Sequence, residues 1–108
     1  MTVSAGELWI ADITFTNGTN SKKRPVLVLW VDGNDVVVAA VTSAAPRSPT
    51  DVSLKDWTAS GLRLPSTVRL ARLDCLEQSL LLHHLGRLSS KDAAQLKSVW
   101  NQFVHPQF

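Results

Sequence analysis

The residues with the clearest chemical potential in this sequence are an arginine and two hydroxyl residues at the open end of a predicted β-hairpin. Arg24 comes just before the apolar run 26–31, and a second apolar run, 36–41, ends in Thr42 and Ser43. An Asp-Gly-Asn-Asp sequence separates the runs and is typical of a tight hairpin turn. Counting back from this turn predicts that Arg24 faces residue 41, 42 or 43, depending on which residues form the loop.

The pairing of a guanidinium with a hydroxyl indicates a phosphate-binding site. A three-residue loop would place Arg24 opposite Thr42. The two-residue loop Gly33–Asn34 would place it opposite Ser43. Pro25 restricts the preceding residue to extended backbone, which holds Arg24 at the junction between loop and strand. Arginine presents a planar set of donors that matches phosphate oxygens, and a hydroxyl can donate one further hydrogen bond. The alternative is a surface arginine beside ordinary strand-end hydroxyls.

Short β-strands dominate the pattern around this hairpin. Beside the two hairpin strands, four segments are predicted to be strands: 6–12, 51–54, 67–73 and 80–85. In the third of these, Val68 and Leu70 are predicted to face inward, with Leu73 a further candidate. Two prolines exclude a central strand over 44–50, and residues 57–62 are typical of a turn. The pattern predicts a mainly β chain that forms a small barrel.

A single α-helix is predicted at the C-terminal end. Ser89 and Asp92 have the spacing of a capping box, and Pro106 closes the pattern. Apolar residues recur at helical spacing between these limits: Ala93, Leu96, Val99, Trp100 and Phe103. This apolar stripe is expected to pack against the sheet, so the helix has mainly a structural role.

Composition sets limits on the class of protein. The 108 residues, with 44% hydrophobic and 19% charged content, are expected to form one domain over 1–108 with its own core. Cys75 is the only cysteine, which excludes an internal disulfide and suits a reducing cytoplasm. We find no signal-peptide pattern and no apolar run long enough to span a bilayer, so a soluble cytoplasmic protein is expected.

Charge must act locally if the protein binds a polyanion, because the formal net charge is only +2. The basic residues that could form a cluster are Lys22, Lys23, Arg24, Arg47, Arg63, Arg69, Arg72 and Arg87. Arg69 and Arg72 lie three positions apart in one predicted strand, so their side chains should point to opposite faces. At most one of the two is then expected to line a given groove.

Several motifs in the same order resemble the MazF/PemK-type toxins of type II toxin–antitoxin systems. They extend from about residue 6 to residue 103 and are Gly6-Glu7-x-Trp9, Lys23-Arg24-Pro25-Val26-Leu27-Val28, Thr42-Ser43, Ser66-Thr67-Val68-Arg69-Leu70 and Leu85-Gly86-Arg87-Leu88-Ser89. Trp30 departs from the family pattern, in which a small polar residue is common, and is expected to affect dimer packing or the rim of the groove.

The resemblance implies a homodimeric SH3-like barrel that cleaves single-stranded RNA at short sequence motifs, with no metal or cofactor. Such cleavage leaves a cyclic phosphate and a free 5′ hydroxyl. It also implies a separately encoded antitoxin that covers the basic groove. Arg24 and Thr42 are the family residues carried over, with Ser43 adjacent. Arginine resists deprotonation, so we favour charge stabilisation by Arg24 and leave the proton transfers open.

Residues for reading the RNA bases are sought in loops and among cations and aromatic side chains, because single-stranded RNA is recognised by stacking and by contacts to base edges. The candidates are Thr16, Asn17, Lys22 and Lys23 in and after the loop 15–21, together with Arg47, Trp57 and Arg72. Trp57 could be a stacking platform, although packing over the end of the barrel is the more common role of such a residue.

Other chemistries fit the sequence less well. His83 and His84 suggest a histidine-pair nuclease, but consecutive strand residues point to opposite faces and cannot attend one phosphate. The acidic residues show no metal-ligand spacing, so no metal site is expected. Two alternatives stay open: a non-enzymatic toxin on the same fold, like the CcdB relatives that bind DNA gyrase, and an RNA-binding module without turnover.

Overall fold

The predicted hairpin is the centre of the fold. The computed structural model of the protein describes residues 2–14 and 21–108, without the side chains of Thr14 and Ser21. Strands β2 (Ser21–Asp32) and β3 (Asp35–Thr42) pair antiparallel, with Asp32 opposite Asp35. The connecting loop is therefore Gly33–Asn34, and Gly33 has a φ of 60°, which glycine adopts without steric cost.

Four further strands complete one antiparallel sheet. They are β1 (Glu7–Thr14), β4 (Asp51–Ser53), β5 (Thr67–Glu77) and β6 (Leu81–Arg87), and a short 3₁₀ turn at Gln78–Leu80 precedes β6. The order across the sheet is β4-β5-β3-β2-β1-β6. The chain is thus mainly β, as predicted, with β4 and β6 at opposite edges of the sheet.

Apolar side chains are buried on both faces at the centre of the sheet. One cluster, which we call the helix-side core, contains Leu8, Leu27, Ala39, Val41, Val52, Leu54, Leu62, Val68, Leu70 and Leu96. The other, which we call the groove-side core, contains Trp9, Ala11, Val26, Val28, Val36, Val38, Leu76 and Leu81. Consecutive residues of β2 alternate between the two clusters, because neighbouring strand residues point to opposite faces.

Helix α1 (Ser90–Phe103) covers the helix-side core and begins as the sequence predicts. The Asp92 N–H donates to Ser89 Oγ at 3.1 Å. The Asp92 carboxylate is fully buried and accepts hydrogen bonds from the backbone N–H groups of Lys55 (3.0 Å) and Asp56 (2.9 Å). The helix start therefore also fixes the loop 54–66 on this side of the sheet.

Two bulges set the positions of the groove residues. In β2, Val28 pairs with Val38 and Trp30 with Val37, so Leu29 is an extra residue. In β5, Leu73 pairs with Ala39 and Arg69 with Ala40, which leaves residues 70–72 without partners in β3. Each bulge changes which side chains share a face beyond it.

Candidate active site

A groove of about 430 Å³ opens on the face of the sheet that carries the groove-side core. Its floor is apolar and includes Val26, Val38 and Ala40. Its polar lining consists of Arg24, Thr42, Arg69, Arg72 and Asp74, contributed by strands β2, β3 and β5. Three guanidinium groups and one carboxylate make the groove predominantly cationic, although the whole chain carries a net charge of only +2.

The bulge at Leu29 decides which residue Arg24 faces. The loop Gly33–Asn34 alone would place Arg24 opposite Ser43, but the extra residue shifts the pairing by one. Extending the register beyond the pair Val26 and Ala40 brings Arg24 opposite Thr42. On its other side, Arg24 pairs with Ala11 of β1. Arg24 is exposed to solvent and lies in the groove with Thr42.

The Thr42 hydroxyl is oriented by its own backbone. Thr42 Oγ1 accepts a hydrogen bond from the Ala44 N–H at 3.2 Å, at the point where the chain leaves β3. A hydroxyl has one donor and two acceptor lone pairs. Because this contact uses an acceptor position, the hydroxyl hydrogen remains available for an oxygen atom in the groove.

Arg69 and Arg72 both line the groove, so the prediction that at most one could do so is wrong. The simple alternation of a strand fails here because residues 70–72 bulge out of the pairing with β3. Arg69 was not among the predicted RNA-binding residues. Its side chain lies across β4, where Arg69 Nε donates to Asp51 Oδ1 at 3.4 Å. Leu73, a candidate for an inward position, also borders the groove and is 42% exposed.

The other predicted site residues do not line the groove. Ser43 is exposed in the loop after β3, and Lys22 and Lys23 are exposed on β2. Arg47 lies in the exposed loop 43–50. Thr16 and Asn17 lie outside the described residues. Trp57 packs against the helix-side core on the opposite face of the sheet, where the loop 54–66 is held by Asp92, so it is not a stacking platform in this groove.

The two histidines lie at the β1–β6 edge. His83 pairs with Ile10 and His84 with Trp9, so the side chains point to opposite faces, as predicted. The His84 ring packs edge-to-face on Trp9 with centroids 5.1 Å apart. His84 Nε2 lies 3.4 Å from Glu7 Oε2 and forms an ion pair with it when protonated. Neither histidine lines the groove.

Glu7 is the acidic residue of this edge. Partial burial raises the pKa of the Glu7 carboxyl, but hydrogen bonds from the Ser4 N–H and Trp9 Nε1 and the charges of His84 and Arg87 lower it. The net result is a pKa below the ordinary value of 4.5. Glu7 thus stabilises the start of β1 as a carboxylate, away from the groove.

A second cavity, of about 440 Å³, lies between α1 and the sheet. Trp30 and Trp100 line it and pack edge-to-face with ring centroids 6.1 Å apart. Trp30 is 44% exposed. Trp30 lines this second cavity and is not among the residues that line the Arg24 groove.

Residues 2–14 and 21–108 contain no helix that is long and apolar enough to cross a membrane. In the same part of the chain, no three histidine, cysteine or acidic residues are grouped as metal ligands would be.

The fold and the groove define a class: a small, mainly β protein with a C-terminal helix and a cationic groove on one face of the sheet. Residues 4–104 match the family described as the PemK-like, MazF-like toxin of type II toxin–antitoxin systems. The chain therefore belongs to this family. No curated protein matches its sequence.

Solved structures share the fold. The Mycobacterium tuberculosis toxin MazF-mt6 has a TM-score of 0.71 at 24% identity, with 90% of this chain and 95% of that chain covered. MazF from Deinococcus radiodurans has a TM-score of 0.74 at 21% identity, with coverage of 96% and 97%. An endoribonuclease in complex with its cognate antitoxin, from a mycobacterial species, has a TM-score of 0.75 at 16% identity, with coverage of 97% and 100%.

Proposed function

We propose that the protein is a sequence-specific, metal-independent endoribonuclease that cleaves single-stranded RNA and acts as the toxin of a toxin–antitoxin pair. The observation that carries this proposal is the register that brings Arg24 opposite Thr42 in one cationic groove. Family membership and the fold shared with a protein described as an endoribonuclease also support it. The cytoplasm is the proposed site of action.

The reaction we propose is an in-line attack of the ribose 2′ oxygen on the adjacent phosphorus. The new O2′–P bond forms as the P–O5′ bond breaks, so the products are a 2′,3′-cyclic phosphate and a 5′ hydroxyl. One proton leaves the 2′ hydroxyl and one is delivered to O5′. Negative charge grows on the two non-bridging phosphoryl oxygens in the transition state, and fixed donors that meet it there accelerate the reaction.

We assign to Arg24 and Thr42 the role of stabilising this negative charge on the phosphoryl oxygens. The Arg24 guanidinium offers a planar set of donors to the phosphoryl oxygens. Thr42 donates its hydroxyl hydrogen, which the contact with the Ala44 N–H leaves available. Arg72 and Arg69 add positive charge along the groove, where the neighbouring phosphates of the RNA would lie. Lys22, on the same strand as Arg24, is in a position to meet the RNA beyond the groove.

Two protein partners complete the proposal. The first is a second copy of this chain, because the family resemblance implies a homodimer. The second is a cognate antitoxin, as in the mycobacterial complex with its antitoxin. Inhibition would occur by occlusion of the groove, so RNA and an antitoxin tail should compete for it. Simultaneous binding of both to one dimer would contradict this mode of inhibition.

The decisive experiment uses purified protein and a long, labelled RNA of mixed sequence. We expect multiple-turnover cleavage at a short motif, with cyclic phosphate and 5′ hydroxyl ends identified by end sequencing and enzymatic end repair. Because Arg24 and Thr42 supply the charge stabilisation, excess EDTA should leave the rate unchanged. A gel shift without fragments would indicate an RNA-binding module, and inhibition of DNA gyrase without RNA cleavage would indicate a CcdB-like toxin.

A further inference from the structure

Asp51 links a residue that lines the groove, Arg69, to the loop 43–50, which begins directly after the groove residue Thr42. It is the first residue of β4 and pairs with Arg69 of β5. Its carboxylate is almost completely buried, with 2% of the side chain exposed, whereas 22% of the Arg69 side chain is exposed. Asp51 Oδ1 accepts from Arg69 Nε at 3.4 Å, and Asp51 Oδ2 accepts from the Arg47 backbone N–H at 2.9 Å.

The contact to Arg69 leaves most of that guanidinium available. Arginine has five N–H donors, of which Nε carries one and the two Nη atoms carry four. In the described part of the chain, Asp51 is the only acceptor that Arg69 engages, and it uses Nε. The Nη atoms are therefore available to the oxygens of a bound phosphate, while the buried carboxylate restricts the rotamers of the side chain.

The contact to Arg47 fixes the loop 43–50, which begins directly after Thr42. Its first turn is held by the bond from the Ala44 N–H to Thr42 Oγ1. Its last turn is held by Asp51, which accepts from the Arg47 N–H through its side chain and donates its own N–H to the Ser48 carbonyl at 3.0 Å. One carboxylate thus fixes both the Arg69 side chain and the end of the loop that leaves Thr42.

We propose that Asp51 is a positioning residue of the groove, which acts on a bound RNA backbone chiefly by holding the Arg69 guanidinium toward a phosphate next to the one that is cleaved. The inference rests on the proposed function, since it takes single-stranded RNA as the ligand. Asp51 does not line the groove itself, and its proposed effect on RNA binding passes through Arg69.

The test is a double-mutant cycle on Asp51→Asn and Arg69→Ala, with binding measured by fluorescence anisotropy. The probe is a short, mixed-sequence 2′-fluoro oligonucleotide, which keeps the phosphates but lacks the 2′ hydroxyl that cleavage requires. We expect Asp51→Asn to weaken binding about 3- to 10-fold when Arg69 is present, and less than about 2-fold in the Arg69→Ala background. Equal losses in both backgrounds would overturn the role of Asp51.

Kinetics on cleavable RNA separate positioning from general damage to the structure. Asp51→Asn should raise KM about 3- to 10-fold with little change in kcat, because Arg69 contacts a neighbouring phosphate in ground state and transition state alike. Asp32→Asn, at the exposed hairpin end, is the matched control and should leave KM unchanged. A fall in kcat with KM unchanged would overturn the proposed role.

Arg69→Lys gives a test that leaves Asp51 intact. Lysine keeps the charge but cannot bind the Asp51 carboxylate and a phosphate at once through separate edges of a guanidinium. It should therefore bind the oligonucleotide more weakly than the wild type but more tightly than Arg69→Ala, whose charge is lost as well. Affinity within about 2-fold of the wild type would overturn the proposal. A wild-type protein that binds the oligonucleotide but cleaves no RNA would contradict the proposed function and leave the role of Asp51 standing.

Discussion

The groove and the β1–β6 edge both contain side chains that can carry charge or transfer protons, but these side chains are arranged differently in the two regions. In the groove, Arg24, Thr42 and Arg69 come from three strands and lie along one open surface. At the edge, His83 and His84 come from one strand and point to opposite faces. His84 is also engaged with Glu7 and Trp9.

Residues that are neighbours in the sequence need not have neighbouring side chains in space. Adjacent residues of a strand point their side chains to opposite faces of the sheet, whereas residues far apart in the chain meet when paired strands place them on the same face. In the groove, the Thr42 hydroxyl hydrogen and the Arg69 Nη donors remain available for a ligand, while Glu7, Trp9 and His84 of the edge contact one another. We therefore propose that catalysis takes place in the groove and that the edge stabilises the fold.

The largest effect should come from Arg24→Ala. In the proposed mechanism this guanidinium supplies the main charge stabilisation of the phosphoryl oxygens, so kcat should fall by about 10³-fold or more while the protein stays folded. Initial rates on labelled RNA and circular dichroism would measure the two quantities. The matched control is Arg63→Ala, since Arg63 is exposed in the loop 54–66 and lies outside the groove. Near wild-type cleavage by Arg24→Ala would remove Arg24 from the mechanism.

A smaller but still large effect is expected for Thr42→Val. Valine keeps the shape and β-propensity of threonine but removes the hydroxyl, so kcat should fall by about 10²-fold. The thermal midpoint should fall only slightly, because the Ala44 N–H loses its acceptor at an exposed position. Thr58→Val, at an exposed position of the loop 54–66, is the control for the chemical change. A loss of kcat equal to that of the control would mean that Thr42 does not contact the phosphate.

His83→Ala and His84→Ala should change kcat/KM by less than about 3-fold each, because neither side chain lines the groove. The measurement is the same RNA cleavage assay, made near neutral pH, where an imidazole proton shuttle would contribute most. A loss of 10²-fold or more in either variant would reverse the comparison and move catalysis to the edge.

Glu7→Gln should affect stability rather than cleavage. The native pKa of Glu7 lies below 4.5, so folding favours the ionised form. The stabilisation is complete above the unfolded value and is lost as pH falls through the lower native pKa. At neutral pH, we expect Glu7→Gln to lower the free energy of unfolding by about 1 kcal/mol. Denaturant melts should show this difference shrinking below about pH 4.5, and a difference that grows there would contradict the assignment.

Much of the fold was predictable because its signals are local. Asp-Gly-Asn-Asp between two valine-rich runs predicted the hairpin, and Ser89 with the apolar stripe that follows predicted the helix. Pro46 and Pro49 correctly excluded a central strand over 44–50, since proline cannot donate to a sheet. The family resemblance, which depends on short motifs in a fixed order, is confirmed over residues 4–104.

The composition of the groove was less predictable because bulges change the alternation of strand residues. No sequence signal marks Leu29 as an extra residue, yet this bulge decides between Thr42 and Ser43 as the neighbour of Arg24. The bulge at residues 70–72 brings Arg69 and Arg72 into one groove. The signal available for Arg69 was the presence of an acidic residue, Asp51, in predicted strand 51–54 and of a basic residue, Arg69, in predicted strand 67–73. Only the structure shows that these two strands pair.

The sequence by itself determined the mainly β class, the hairpin, the C-terminal helix, the family and the candidates Arg24, Thr42 and Ser43. These follow from turn chemistry, periodicity and motif order, which act over a few residues. Only the tertiary structure decided the pairing register, the placement of Arg69 against Asp51 and the packing of Trp57 on the far face. The physical reason is that bulges and cross-strand contacts depend on side chains distant in the chain, whose packing no local pattern encodes.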